Sequence, residues 1–326
     1  MSCYHPLIGI PTGELTRNGK KKLRIEILES TDTVEKLRGN GCVLIPCGHC
    51  IGCRLDYSRS WADRMMLELD SCKKGIFLTL TYDNDNIAWS CFDYDGFPLY
   101  GTLVKKDCQL FLKRLRKEFS DFKLRFYLAG EYGSKTQRPH YHAIIFGLSI
   151  DDIGDCVVHG VNELGQKYYI SDRIRKVWKN GNILVANVSW KTCAYVARYV
   201  TKKLNGCMQD ERYELLGQLP EFSLMSRKPG IGAYYLENHP NCLDFDSINI
   251  STPDGGLKIR IPKYYLNKLE LIDKERYDMI CNERRKFAED SMILKLQKTD
   301  LQYVQYLENE ENVKLEKLKA LKRNKI

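Results

Sequence analysis

Residues 130–147 read GEYGSKTQRPHYHAIIFG, a pattern that predicts two strands joined by a short turn. The polar run SKTQR separates an apolar stretch ending at Glu131 from the stretch PHYHAIIFG. Because strand residues two positions apart face the same side, His140 and His142 project together while Tyr141 points away. The chain has six histidines, so two on one face are the first candidates for a functional site.

Glu131 is predicted to join this histidine pair. If the hairpin turns about Lys135 and Thr136, Glu131 lies opposite His140, and a shift of one residue on each strand sets it opposite His142. Both registers keep the three side chains on one face, and only an odd shift separates them. Two imidazoles and a carboxylate leave positions open for oxygen ligands, which suits Mg²⁺ or Mn²⁺ acting on phosphate, with Zn²⁺ as an alternative. A buried Glu–His hydrogen bond without metal is the other interpretation.

The stretch AYVARYVTKK, residues 194–203, predicts a helix with two tyrosines on one face. Tyr195, Tyr199 and Lys202 recur at i, i+4 and i+7, and a separate apolar stripe can face the core. A phenol with a pKa near 10 is a poor nucleophile at neutral pH. A divalent metal and a nearby ammonium group would make its attack on a phosphate feasible. Ordinary packing of the tyrosine rings is the alternative.

Three motifs of the chain, in this order, resemble those of HUH-type rolling-circle replication initiators. They are FLTLTYD (77–83), GEYGSKTQRPHYHAIIFG (130–147) and YVARYVTKK (195–203). The resemblance is closest to the replication initiation proteins of gokushovirus-like microviruses, which are small single-stranded DNA phages. It covers about residues 40–205, and it implies a nicking domain built on a central antiparallel sheet flanked by helices.

The resemblance places the family's metal ligands on the predicted hairpin. His140 and His142 match the HUH pair, with Tyr141 as the central residue in place of the family's hydrophobic one. Glu131 stands where the third ligand often comes from the neighbouring strand. Thr79, Thr81 and Tyr82 belong to the first motif, whose role in the family is less defined, and a plain core strand is the alternative there.

The resemblance also implies a site-specific nickase and strand transferase. Tyr195 and Tyr199 match the paired nucleophiles, Lys202 matches the lysine three residues after the second tyrosine, and Lys203 is the adjacent possibility. One tyrosine would become linked to a 5′-phosphate at the viral origin and leave a 3′-hydroxyl that primes the host polymerase. The second would cut the regenerated origin so that the strand closes into a circle. The expected partners are single-stranded DNA, the viral origin, and the host polymerase and helicase.

The motif CGHCIGC predicts a second metal site near the N-terminus. Its three cysteines at two-residue spacings are Cys47, Cys50 and Cys53. Three thiolates in a glycine-containing turn favour structural Zn²⁺ in tetrahedral coordination, against reduced cysteines or a redox role. Cys3 is the first choice for the fourth ligand, because SCYHP (2–6) also resembles the family's N-terminal pattern, with Cys42 and His5 as alternatives.

Basic side chains beside these motifs are predicted to bind the DNA backbone. The candidates are Arg138, Lys135, Lys113, Arg114, Arg116 and Lys117. The last four lie on a predicted amphipathic helix, 105–119, whose inward residues should be Leu110, Phe111, Leu115 and Phe119. The formal net charge of +9 is compatible with a polyanionic partner. For each cation taken singly, a solvated surface charge is the alternative.

The succession of predicted elements indicates an α+β fold with a central, mainly antiparallel sheet flanked by helices. Four segments are expected along the chain. They are a Cys-rich segment with a basic helix (1–72), an HUH endonuclease domain (73–205), a mixed segment of unknown role (206–262) and a charged helical C-terminal region (263–326).

No run of about 18 apolar residues predicts a membrane span, and the first residues lack the pattern of a secretory signal. The thirteen cysteines are therefore expected to be reduced or metal-bound, and the protein to act in the cytoplasm, that of a bacterial host if it comes from a phage. Two other functions fit parts of the pattern. A related transposase or relaxase would share the chemistry, whereas a non-catalytic, zinc-containing nucleic-acid-binding regulator would explain only the cysteines and the charge.

Overall fold

The computed structural model describes residues 3–17, 19, 21–29, 41–133, 136–162, 165–202, 207–253 and 255–320, except for the side chains of 199–202, 207–210 and 212. The chain divides into two compact units. The terminal unit comprises Met1–Tyr57 with Leu266–Arg323, and the sheet unit comprises Ser58–Tyr265. Of the predicted site residues, Lys135 and Lys203 lie outside the described residues.

The strands are β1 (Leu7–Leu15), β2 (Lys21–Ile27), β3 (Val43–Ile45), β4 (Gly75–Tyr82), β5 (Trp89–Phe92), β6 (Pro98–Gly101), β7 (Arg125–Tyr132), β8 (Pro139–Phe146), β9 (Val157–Val161), β10 (Lys167–Ile170), β11 (Gly181–Asn187), β12 (Phe222–Met225), β13 (Ser247–Thr252) and β14 (Gly255–Arg260). The helices are α1 (Ile51–Cys72), α2 (Lys105–Glu118), α3 (Ile150–Ile153), α4 (Asp172–Trp178), α5 (Trp190–Lys202), α6 (Cys207–Leu216), α7 (Ala233–Asn238), α8 (Lys263–Ile272), α9 (Lys274–Leu296) and α10 (Tyr303–Ala320). Within the described ranges, no helix is long and apolar enough to cross a membrane.

The sheet unit is built on seven strands in the order β12-β7-β8-β4-β11-β10-β9, and every neighbouring pair is antiparallel. The three strands β7, β8 and β4 lie side by side and are almost wholly buried, because helices cover both faces of the sheet there. This burial explains why their sequences are nearly continuous apolar runs rather than simple alternations. The predicted α+β fold with an antiparallel sheet is confirmed.

One face of the sheet packs on α2 and α4. Phe111 of α2 lies edge-on to Trp178 of α4, with ring centroids 5.9 Å apart, and both belong to the main hydrophobic core. The prediction that Leu110 faces inward is wrong: its side chain is 40% exposed, and Leu112 is buried instead. At 100° per residue the buried stripe follows Cys108, Phe111, Leu112 and Leu115, which carries Leu110 to the outer face.

The opposite face of the sheet is covered by α1 and α5. Trp61 of α1 packs against Tyr127 of β7 with ring centroids 5.1 Å apart. Farther along the same helix, the buried Glu68 accepts a hydrogen bond from the Arg125 guanidinium at the start of β7. Tyr195 of α5 lies over the same face. The helix that carries the tyrosines is thereby held against the histidine strand.

The terminal unit contains a three-stranded antiparallel sheet, β2-β1-β3, that sequence inspection did not predict. Ile8 and Leu28 are buried in a small cluster, and Tyr303 and Val304 of α10 pack against it. The predicted helical C-terminal region is confirmed by α8, α9 and α10. Most residues of β1 and β2 are exposed, and β1 contains Gly9, Pro11 and Gly13, which are typical of turns, so its pattern did not indicate a strand.

Candidate active site and cysteine cluster

The metal triad, defined as Glu131, His140 and His142, is assembled by three neighbouring strands. In the β7–β8 hairpin Glu131 pairs directly with His140, which is the first of the two registers predicted. On the other side of β8, Thr79 of β4 pairs with His142. Because residues paired across neighbouring strands share a face, all of these side chains project to the side covered by α1 and α5.

The three donor atoms of the metal triad converge at metal-ligand spacing. The Oε1 atom of Glu131 lies 2.7 Å from Nε2 of His140 and 3.1 Å from Nε2 of His142. In an octahedral site with ligand bonds of about 2.1 Å, adjacent ligand atoms are about 3.0 Å apart. The observed distances lie on either side of that value, so the residues fit a small divalent cation with little rearrangement.

The outer nitrogens of both imidazoles have protein partners. Nδ1 of His140 lies 3.0 Å from the carbonyl oxygen of Arg138, which can only accept, so this nitrogen donates its proton. Nδ1 of His142 lies 3.1 Å from Oγ1 of Thr79. With Nδ1 held by the Arg138 carbonyl, Nε2 of His140 faces Glu131, where it forms a hydrogen bond in this structure and would be the ligand atom for a bound cation.

Burial and hydrogen bonding act in opposite directions on Glu131, which is 3% exposed. Burial disfavours the charged carboxylate, but hydrogen bonds from His140 and His142 outweigh this effect and lower the pKa of Glu131 to about 2. The carboxylate is therefore ionised at neutral pH. Phe77 stacks on His142 with an interplanar angle of 12°, which limits rotation of that imidazole.

The tyrosine helix places Tyr195 beside the metal triad. Its ring centroid lies 5.0 Å from that of His142 and 6.2 Å from that of Phe77. The backbone of Tyr199 lies one helical turn farther along α5, and Lys202 is the last residue of this helix. The side chains of Tyr199 and Lys202 lie outside the described part of the chain.

The start of α5 is fixed by a reciprocal cap. The backbone N–H of Thr192 donates to Oγ of Ser189, and the Ser189 N–H donates to Oγ1 of Thr192. This is a capping box in which Ser189 is the N-cap. Next to it, the Trp190 indole donates to the buried carboxylate of Asp63 on α1. These contacts set the position of Tyr195 relative to the sheet.

A groove of about 1070 Å³ runs across β4, β11 and β10; it is termed the sheet groove here. Its wall includes Phe77, Thr79, Tyr168, Leu184, Trp190 and Thr192. Thr79 contacts His142, so the groove comes within one residue of the metal triad. Lys167 supplies a cation along it, while Lys73 and Lys74 form ion pairs with Asp70 and Asp152. Aromatic rings and ammonium groups in one groove are what a single-stranded nucleic acid requires.

The cysteine cluster, defined as Cys3, Cys47, Cys50 and Cys53, gathers four sulfur atoms within 4.8 Å of one another. The Sγ atoms of Cys3 and Cys50 are 3.9 Å apart, and those of Cys47 and Cys53 are 4.0 Å apart. In a tetrahedral zinc site with Zn–S bonds of about 2.3 Å, sulfur atoms are about 3.8 Å apart. The predicted fourth member, Cys3, is thus the residue that the fold brings to the other three.

Backbone N–H groups surround the sulfur atoms of the cysteine cluster. Tyr4 and Cys53 donate to Sγ of Cys50, and Cys47 donates to Sγ of Cys3. Burial raises the pKa of Cys3 to about 11 and also raises that of Cys53. For Cys50 the backbone donors outweigh burial and lower its pKa to about 7. Two of the four thiols are buried and two half-buried, and a bound cation would stabilise their thiolate forms.

Comparison with known proteins decides which family the chain belongs to. Residues 75–204 match the family model of the replication-associated proteins of the ORF2 type. Over 274 residues the chain is 32% identical to Replication-associated protein ORF2 of Spiroplasma virus 4, covering 82% of this chain and 81% of that protein. The chain belongs to this family.

Two further relatives agree with that assignment. Replication-associated protein VP4 of Bdellovibrio phage phiMH2K is 35% identical over 221 residues, covering 68% of this chain and 65% of that protein. Replication-associated protein ORF4 of Chlamydia phage 1 is 33% identical over 176 residues, covering 51% of this chain and 40% of that protein. The predicted resemblance to microvirus replication initiators is confirmed. No solved structure matches the chain.

Two of the cations predicted to bind DNA in this replication-associated protein make hydrogen bonds within the fold, which the sequence did not reveal. Arg138 donates to the carbonyl oxygen of Tyr82 at 2.7 and 3.2 Å and to Oδ1 of Asn84, so it joins the start of β8 to the end of β4. Arg114 donates to the carbonyls of Val177 and Trp178 at the end of α4. Both guanidinium groups act within the fold. Their binding to DNA stays a prediction.

Three further predicted cations lie on the far side of the sheet from the metal triad. Lys113, Arg116 and Lys117 are exposed on α2, which packs on the opposite face. The structure therefore does not bring the basic helix together with the triad. Sequence reasoning missed the stacking of Phe77 on His142 and the contact of Thr79 with the same imidazole. Alternation along FLTLTYD places both on one face, but their approach to the histidines depends on which strand neighbours β8.

Proposed function

We propose that this replication-associated protein initiates rolling-circle replication by nicking single-stranded DNA at the viral origin, as an HUH-type nickase. The observation that carries the proposal is the position of Tyr195, whose ring centroid lies 5.0 Å from that of His142 on the face of the metal triad. A potential nucleophile and a site for a divalent cation thus share one side of the sheet. The family membership supports the role in replication.

In the proposed reaction, the phenolic oxygen of Tyr195 or Tyr199 attacks the scissile phosphorus. A P–O bond to tyrosine forms and the P–O3′ bond breaks, which leaves a 5′-phosphotyrosine and a 3′-hydroxyl. The phenolic proton is lost and the leaving 3′-oxygen gains one, so a phosphodiester is exchanged for a phosphodiester and no nucleotide cofactor is consumed. Lys202 follows on the same helix and is proposed to favour the ionised phenol.

The metal triad is proposed to hold Mg²⁺ or Mn²⁺. A bound ion would supply charge stabilisation at the non-bridging oxygens of the phosphate. Glu131, ionised at neutral pH, contributes the negative charge that attracts a cation. The carbonyl of Arg138 and the hydroxyl of Thr79 hold the imidazoles with Nε2 toward the site.

The sheet groove is proposed to hold the single strand beside the scissile phosphate. Tyr168 and Trp190 offer ring faces for bases, and Lys167 lies beside them for phosphates. The groove shares Thr79 with the triad's contacts, so a strand lying in it delivers a phosphate directly to Tyr195. Host polymerase and helicase are the proposed partners for extension of the released 3′-end.

The cysteine cluster is proposed to bind a structural Zn²⁺ ion. Its four sulfur atoms fill a tetrahedral shell and leave no position for a substrate. The cluster joins Cys3, beside β1, to the start of α1. In this proposal the ion stabilises the terminal unit and takes no part in phosphate chemistry.

The test is a covalent-adduct assay with the full-length protein. A labelled single-stranded oligonucleotide carrying the viral origin is incubated with Mg²⁺ or Mn²⁺ and resolved on a denaturing gel. We expect a protein–DNA adduct that requires the metal and disappears in the Tyr195→Phe/Tyr199→Phe double variant. Tyr94→Phe is the matched control, because it removes a hydroxyl from a fully exposed tyrosine outside the metal triad and the sheet groove, and it should retain the adduct.

Two outcomes would contradict the proposal. Absence of any adduct from the native protein with either metal would favour the non-catalytic nucleic-acid-binding alternative. An adduct that persists in the double variant would show that another residue is the nucleophile. Peptide mapping of the adduct from each single variant identifies which tyrosine acts first.

A further inference from the structure

A second candidate site lies at the start of β7, whereas the metal triad lies at the other end of this strand. It is an open pocket of about 450 Å³, formed where α2, the start of β7, the end of β12 and α7 meet. Five cationic side chains line it, and it is termed the basic pocket here: Arg116, Lys123, Arg125, Arg227 and Lys228. Among the described residues, no carboxylate forms part of its wall.

Within the part of the chain that the structure describes, only one of these five cations is neutralised. Arg125 forms an ion pair with the buried Glu68 and donates to the carbonyl of Pro229. None of the other four cations forms an ion pair with a carboxylate in the described ranges. Like charges that converge on a concave surface repel one another, and a bound anion relieves that repulsion.

Two aromatic rings position the cations of the basic pocket. Arg116 lies over the ring of Phe126 at 5.4 Å, and Lys123 lies over the ring of Tyr234 at 4.8 Å. Such contacts hold a cation through its side chain while leaving its N–H groups directed outward. The pocket therefore presents fixed donors to an anion, whereas isolated surface lysines would be free to move.

We infer that the basic pocket binds phosphate groups of the DNA strand that flanks the scissile position. This inference rests on the proposed function. Arg125 precedes Glu131 by six residues on β7, a straight distance of about 20 Å at 3.3 Å per residue. Because Trp61 of α1 covers Tyr127 between them, a strand that joins the two sites would pass around α1. A strand that extends more than about six nucleotides beyond the triad, at about 3.4 Å per phosphate, would therefore reach the basic pocket.

The chemistry of the pocket favours a phosphodiester backbone over a nucleotide or another small anion. The pocket is open, and its cations come from separate elements of the sheet unit, so they can contact successive phosphates of a chain. The net charge of +9 favours association with a polyanion. The basic pocket would anchor flanking DNA without reading its sequence, as contacts to phosphates do.

The experiment measures how salt affects binding to oligo-dT of about 30 nucleotides. This probe has no origin sequence and is longer than the site size of a typical single-strand-binding domain. The pocket variant is Arg227→Ala/Lys228→Ala, at two exposed positions after β12. The matched control, Arg285→Ala/Lys286→Ala, removes the same two kinds of charge from exposed positions on α9. We expect the slope of log Kd against log[NaCl] to fall by about 1.4 in the pocket variant, about 0.7 for each phosphate that is no longer neutralised, and to stay unchanged in the control.

Acetylation footprinting locates the bound strand independently of affinity. Oligo-dT should protect Lys123 and Lys228 from acetylation and leave Lys286 reactive. Equal protection by inorganic phosphate would show a small-anion site and overturn the assignment to DNA. Equal slopes for the pocket variant and the native protein would overturn it as well. The adduct assay fails separately if the nickase proposal is wrong, because oligo-dT binding requires neither the origin nor cleavage.

Discussion

The metal triad gathers three donor atoms of two kinds, whereas the cysteine cluster gathers four of one kind. The triad offers one carboxylate and two imidazoles, fewer ligands than the six of an octahedral ion, so other coordination positions would be open to oxygen ligands. In the cluster, sulfur–sulfur distances of 3.9 and 4.0 Å match a closed tetrahedral shell. An open coordination shell permits a substrate to bind the metal ion, whereas a filled coordination shell excludes the substrate.

The comparison shows how donor type and donor count assign different tasks to two sites in one chain. Oxygen and nitrogen donors around an open position suit an ion that acts on phosphate, while four thiolates with N–H donors suit an ion that holds segments together. The neighbours differ accordingly. Tyr195 stands beside the triad, and backbone N–H groups surround the sulfurs. Loss of the triad should therefore remove activity, and loss of the cluster should remove stability.

The largest expected effect is the loss of stability of the terminal unit in the Cys47→Ser variant. A structural zinc ion contributes folding free energy directly, so loss of one of its ligands should cost several kcal/mol. Cys42→Ser is the matched control, because Cys42 lies in the same unit outside the cluster, and it should cost about 1 kcal/mol. Thermal unfolding with and without a chelator measures both. Equal losses in the two variants would show that the cluster binds no stabilising ion.

The second largest effect is that of Glu131→Gln on the nicking reaction. The substitution removes the only charge among the triad's ligands, and we expect adduct formation to slow at least about 100-fold. Zinc content, measured by elemental analysis, should stay the same as in the native protein. A variant that loses zinc together with activity would contradict the independence of the two sites.

A smaller effect is expected for Thr79→Val, which removes the hydroxyl beside Nδ1 of His142 but keeps the shape of the side chain. Partners of metal-binding histidines contribute about 10-fold or more to metal affinity. The Mn²⁺ concentration that half-saturates nicking should rise by about 10-fold, with little change at saturating metal. Thr79→Ser should restore the native value. Equal impairment in the serine variant would point to loss of packing by the methyl group instead.

The smallest effect is expected for His5→Ala. His5 was an alternative fourth ligand of the cysteine cluster, but its imidazole contacts Glu311 of α10. Because the side chain of His5 is largely exposed, the pair should contribute less than about 1 kcal/mol. The variant should keep its zinc, whereas Cys3→Ser should lose it. Zinc loss in the histidine variant would place His5 in the cluster after all.

The local parts of the fold and of the site could be predicted from the sequence. Glu131, His140 and His142 lie on one hairpin, so strand alternation and a short turn determine their common face. The helix with Tyr195 follows from its periodicity and its serine cap. In the cysteine cluster, the spacing within CGHCIGC indicated three members, and the choice of Cys3 agrees with the structure.

The remaining features depend on the order of strands and on contacts between distant segments. Thr79 reaches His142 only because β4 lies beside β8. No local sequence pattern predicts that these two strands are neighbours. The basic helix looked suitable for DNA binding, yet Arg114 holds the end of α4. Periodicity shows which face of a helix is polar, but it does not show on which side of the sheet the helix packs. Gly9, Pro11 and Gly13 in β1 are typical of turns, so the apolar residues of β1 and the alternation in β2 were not recognised as strands.

The separation of the ligands along the chain has a consequence for the order of folding. Glu131 is nine and eleven residues from its two partners, whereas Cys3 is 44 residues from Cys47. Closing the longer loop costs roughly 1 kcal/mol more in chain entropy. A hairpin closes within about 10 microseconds, so the metal triad can form on the nascent chain as soon as β8 emerges. The cysteine cluster must bring together two segments far apart in sequence, and zinc availability would then set when the terminal unit completes its folding.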